Sequence, residues 1–83
     1  MAVELKRDQI RAALTLTDPA ISSFLDLETG EVVKIDENAT EPALVELRDQ
    51  VFASYGDRYR YIPGGNPSAD DAAVASWIEN EGL

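Results

Sequence analysis

Cysteine and histidine are both absent from the chain. Without histidine, the Ser-His-Asp and Cys-His nucleophile arrangements are excluded, as is imidazole acid–base work near neutral pH. Lacking both residues, the chain also has no ordinary zinc site and few means of holding a soft transition metal. No disulfide can staple the fold, and a reducing compartment is the expected setting. Basic residues are scarce: seven Lys and Arg stand against sixteen Asp and Glu, a formal net charge of −9. Such a chain repels duplex nucleic acid unless its cations cluster. Two small groups exist, Lys6, Arg7 and Arg11, then Arg58 and Arg60. Neither is long enough to form a phosphate track. No apolar run approaches the ~20 residues of a membrane span. Neither a basic n-region nor an apolar h-region follows Met1, so no secretory leader is expected. A soluble, cytoplasmic protein without a cofactor is the expectation.

The chain of 83 residues is short enough to be read as one small domain, residues 1–83. Its most informative stretch runs from Ser23 to Ile35. Two apolar runs flank a polar turn that holds one glycine, which is the pattern of a β-hairpin. A three-residue loop ending in Gly30 predicts a type I turn closed by a left-handed glycine. That loop sets Leu27 opposite Glu31, Leu25 opposite Val33 and Ser23 opposite Ile35. Leu25, Leu27, Val33 and Ile35 then share a core-facing side. Phe24, Asp26, Val32 and Lys34 fall on the other side, which is left half apolar.

On the N-terminal side, Val3 and Leu5 form a short extended segment. Ile10, Ala13 and Leu14 at i, i+3, i+4 predict an amphipathic helix from Lys6 to about Thr15. Asp18-Pro19 ends it. After the hairpin, Thr40 is the expected N-cap of a helix from Glu41 to about Ser54, with Pro42 in its first turn. Leu44, Leu47 and Val51 form its stripe, widened by Val45 and Phe52. Gly56 suits a left-handed C-terminal position. Arg58 to Ile62 alternates as a strand, tyrosines on one face, arginines and Ile62 on the other. Pro63-Gly64-Gly65-Asn66-Pro67 breaks the chain. Ser68 with Asp71 resembles a capping box for a last helix from Ala69 to about Glu81, with stripe Val74, Trp77 and Ile78. The expected fold is α+β, in the order α-β-β-α-β-α. A small antiparallel sheet, hairpin plus third strand, packs against two or three helices lying mainly on one face.

The run Phe24-Leu25-Asp26-Leu27-Glu28-Thr29-Gly30-Glu31-Val32-Val33 resembles an uncharacterised bacterial protein family. Its members carry an aromatic-Leu-Asp-X-X-Thr-Gly-Glu-Val signature near the N-terminus. The preceding Ala13-Leu14, the Tyr59 to Pro63 strand and the Trp77-Ile78 pair are similar to features found there too. Members are often longer, with a second segment absent here. The resemblance is specific over about ten residues of the chain and implies no catalytic residues or cofactor.

Several side-chain groups invite a chemical reading. Asp36-Glu37-Asn38 and Asp70-Asp71 offer oxygen ligands for Ca²⁺ or Mg²⁺, without EF-hand spacing. Loop solvation and helix N-terminal charge matching explain them well and are the favoured reading. The breaker cluster before the last helix has the place of an anion-binding loop but no Gly-Lys-Ser/Thr. Paired carboxylates for glycoside hydrolysis have little room for a substrate cleft in so short a chain. Phe24, Val32 and Lys34 are the candidate partner-binding residues, for another protein or a second copy of the chain. Arg58, Arg60 and Tyr61, assisted by Lys6 and Arg11, are the alternative, a stacking and clamping site for single-stranded nucleic acid. A non-enzymatic protein-interaction module is the leading expectation, ahead of a nucleic-acid-associated regulator and a carboxylate enzyme using a hard divalent ion.

Overall fold

In the computed structural model, which describes residues 3–83, the elements follow the order α1 (Arg7–Thr15), β1 (Ile21–Asp26), β2 (Val32–Asp36), α2 (Pro42–Ala53), β3 (Tyr59–Ile62) and α3 (Asp71–Asn80). This is the expected α+β order. The three strands are antiparallel and lie β2-β1-β3 across the sheet, so the third strand pairs with β1.

The hairpin differs from expectation by one residue. Phe24 lies opposite Val33 and Leu25 opposite Val32. The Asp26 N–H donates to Glu31 O (2.9 Å), and the Gly30 N–H donates to Asp26 O (2.8 Å). The loop is therefore the four residues Leu27 to Gly30, with Gly30 at φ +76°. Two competing partners start the turn early. Asp26 Oδ1 accepts the Glu28 N–H (2.9 Å), an Asx turn. The Leu27 N–H goes to Arg58 O (2.8 Å) across the β1–β3 ladder, so it is not available to Glu31.

Because the side-chain period of a strand is two, this slip reassigns faces. Leu25, Leu27 and Val32 pack with Ile10, Leu14, Ile62, Trp77 and Ile78 beneath α1 and α3. Phe24, Val33 and Ile35 pack with Leu47, Val51 and Tyr59 beneath α2. The expected grouping of Leu25, Leu27, Val33 and Ile35 on one side is thus corrected: the set is split between two cores. Helices cover both faces, two on one and one on the other.

The strap from Pro63 to Ser68 holds the C-terminal end of α1. Gly65 and Asn66 donate their N–H groups to Leu16 O (2.7 Å) and Leu14 O (3.0 Å). A Cβ on Gly64 would lie 2.5 Å from Leu16 O, so the close approach requires glycine there. These bonds take up two of the N–H groups of the breaker cluster. At the other end of α1, residues 3–6 cross the hairpin loop, and Lys6 N–H donates to Gly30 O (2.8 Å). The Gln9 Oε1 accepts the Val32 N–H (2.8 Å), which satisfies part of the β2 edge.

Two caps also differ. Glu41, not Thr40, is the N-cap of α2, and it makes no side-chain cap bond; Pro42 opens the first turn as expected. Asp70 caps α3 by accepting the Ala73 N–H (3.0 Å), while the Ser68 hydroxyl bonds Asn66 Oδ1 (3.1 Å).

Candidate functional site: an aromatic groove beside the end of α2

Helix α2 is thinly anchored. Val51 is its one fully buried side chain, with Leu47 partly buried, whereas Leu44 and Phe52 of the predicted stripe face solvent. Past Ala53, the carbonyl of Ser54 accepts the N–H groups of Asp57 (3.2 Å) and Arg58 (3.0 Å). With Gly56 at φ +90°, this turn folds the chain back so that Tyr55 bridges to Tyr59. Phe52 and Tyr55, three residues apart, therefore stand over the sheet beside Tyr61, which pairs with Phe24 across β1 and β3.

Phe24 is the hub of this face. Its ring centroid lies 6.1 Å from Phe52, 6.1 Å from Tyr55 and 5.6 Å from Tyr61, the first two edge-on. Phe24 is 4 % exposed, while Phe52, Tyr55 and Tyr61 are 50, 57 and 42 % exposed. A shallow cleft of about 540 Å³ opens between them, rimmed by Pro19, Ser22 and Glu37. A second cleft of about 250 Å³ shares Pro19, Ser22 and Tyr61 and runs on to Asp18, Gly64 and Gly65. The two form one groove passing over Tyr61.

Comparison with protein-family models, curated proteins and solved structures gives no match.

The partner-binding trio named from the sequence is not a single surface. Phe24 is buried beneath α2, because Phe52 and Tyr55 close over it. Val32 is half-buried on the opposite face, where it lines a cleft of about 400 Å³ with Gln9, Ala12 and the exposed Lys34. The groove residues that sequence reasoning missed are Phe52 and Tyr55. Periodicity puts Phe52 on the helix stripe, and the turn that swings Tyr55 back leaves no periodic signal.

The arginines of the alternative site are drawn into other contacts, although the buried Arg60 Nε has no hydrogen-bond partner. Arg58 donates to Asp26 from Nε (3.1 Å) and Nη2 (3.0 Å), and its Nη1 lies 3.0 Å from Glu28 Oε2. Its guanidinium carbon also sits 5.2 Å from the Tyr59 ring centroid. These bonds hold the Asp26 carboxyl below its usual range; burial opposes them, and the Glu28 N–H assists. Arg60 Nη1 donates to Glu81 O (3.2 Å) at the C-terminal end of α3, and Arg11 pairs with Asp71 (3.3 Å). Tyr61 lies on the groove face, away from Arg60, and Lys6 lies exposed at the start of α1. Arg58, Arg60 and Tyr61 therefore do not converge into a clamp.

The candidate metal ligands are engaged in local turns. Asp36 Oδ1 accepts the Asn38 N–H (2.9 Å) and Asp70 Oδ1 the Ala73 N–H. Among the described residues no three acidic side chains gather as a metal site.

Proposed function

We propose that this chain is a non-enzymatic protein-interaction module whose binding surface is the aromatic groove at the end of α2. One observation carries the reading. Of the six large apolar side chains exposed among the described residues (Val3, Leu44, Phe52, Tyr55, Tyr61 and Leu83), three, Phe52, Tyr55 and Tyr61, meet at one buried ring, Phe24. Isolated apolar residues on a surface are ordinary, but a contiguous patch with a polar rim is the usual form of a docking site. Tyrosine and phenylalanine suit it, because they contribute large contact area at a low cost in side-chain entropy. A cytoplasmic setting and kinship with the bacterial family that Phe24–Val33 resembles belong to the same proposal.

The test is selection of binders from a displayed library of random decapeptides. The wild-type chain and a Phe52→Ser/Tyr55→Ser variant are compared, with circular dichroism showing that both fold. Binders that require Phe52 and Tyr55 support the reading. If all selected peptides bind the double variant equally well, or none are selected, the groove is not a docking surface.

A further inference from the structure

We infer that the groove takes an extended, cationic segment of a partner protein, with lysine or arginine side chains set against its acidic rim at Asp18 and Glu37 and apolar residues on its rings. This rests on the interaction reading and adds the chemistry of the occupant. Charge distribution along the groove carries it. Glu37 lines the first cleft and Asp18 the second, both beside Ala20 where the two clefts share Pro19 and Ser22, and no Lys or Arg is found among the described residues that line either. The backbone of Ala20 anchors the Glu37 main chain and the Asp18 carboxylate. The Glu37 N–H donates to Ala20 O (3.0 Å), and Asp18 Oδ1 accepts the Ala20 N–H (2.9 Å).

The same clefts are lined by the rings of Phe52, Tyr55 and Tyr61. Cations bind aromatic faces by the ring quadrupole, so Tyr55, Tyr61 and Phe52 add to the attraction from the carboxylates. Shallow aromatic-lined grooves are the usual receptors for extended, proline-containing segments. The basic side chains that could have neutralised the groove internally are committed elsewhere: Arg58 to Asp26 and Glu28, and Arg60 to the α3 carboxyl end. A second copy of the chain fits less well, because each copy carries a formal charge of −9. A polyphosphate backbone meets the same repulsion.

The decapeptide selection tests this when its clones are sorted by charge and re-measured against Glu37→Lys. Glu37 is an exposed rim residue, so the variant is expected to fold. The expected result is enrichment of Lys- and Arg-bearing clones. Their affinity should fall roughly threefold to tenfold with Glu37→Lys and should weaken as salt rises. Neutral or acidic clones that need Phe52 and Tyr55 but ignore Glu37→Lys would overturn the cationic occupant and leave the interaction module standing. Clones indifferent to Phe52 and Tyr55 would remove both. Two further outcomes overturn it as well. One is low-salt binding of an oligothymidylate probe that Tyr61→Ala abolishes. The other is concentration-dependent sedimentation that Tyr55→Ser abolishes.

Discussion

Three single residues hold the hairpin in its register. Asp26 opens the turn, Arg58 grips its carboxylate from the next strand, and Gly30 closes the loop in the left-handed region. The Asp26 carboxyl titrates below the ordinary 3.8 in the folded chain. The unfolded chain therefore takes up the proton first. The stability from this group is present in full above the ordinary carboxylate value and is lost as pH falls through the folded one. Asp26→Asn keeps an oxygen for the Glu28 N–H but loses the charge. It is expected to lower the melting temperature at neutral pH and to flatten the acid limb below about pH 4, followed by thermal denaturation across pH. A variant with an unchanged acid limb would show that Arg58 does not stabilise the charged form. For Gly30, a Cβ would collide with the Glu4 carbonyl oxygen as well as sit at φ +76°. Gly30→Ala is expected to cost more than about 1 kcal/mol, read as a shift in urea midpoint. In the α1–α3 core, Leu25 is fully buried, and Leu25→Ala is expected to cost about 2–5 kcal/mol.

Among the elements, α2 is the one whose burial and exposure are out of balance. It presses one fully buried side chain, Val51, against the sheet and presents Leu44 and Phe52 to solvent. Few buried contacts mean a low free energy of local opening. The amides of α2 are expected to exchange hydrogen before those of β1, which lies between β2 and β3 with helices on both faces. Equal protection of the two would show that α2 is anchored better than its burial implies. Leu44→Gln is expected to change stability by no more than about 0.5 kcal/mol, and Phe52→Ser by about 1 kcal/mol through its edge contact with Phe24. Those small costs make the groove variants usable as binding probes.

The whole molecule carries its charge unevenly. The formal charge of −9 opposes compaction, while Arg58 beside the sheet is tied into pairs with Asp26 and Glu28. Raising salt from about 0.02 to about 0.3 M screens the long-range repulsion more than the half-buried Arg58–Asp26 pair. The urea midpoint is therefore expected to rise with salt, while binding of a cationic peptide weakens. Opposite salt responses of folding and binding would separate the two electrostatic effects in one sample. The Cα framework is flat, 36 × 32 × 17 Å.

Much of this plan was written in local patterns. The i, i+3, i+4 spacing of Ile10, Ala13 and Leu14 and the alternation from Tyr59 to Ile62 reported each element and its order, because those periods are properties of the chain near each residue. The β-hairpin was legible for the same reason. Its register was not, because Leu27 had two suitors for one N–H, and the winner, Arg58, lies thirty-one residues on. That long-range bond, with the ion pair beside it, moved Val33 and Ile35 to the α2 side and buried Phe24. It also relocated the docking surface from the hairpin to Phe52, Tyr55 and Tyr61. Composition and periodicity say which side chains are apolar and how often they recur; which of two faces each one meets depends on partners distant in the chain, and those are settled only when the strands compete for the same backbone groups.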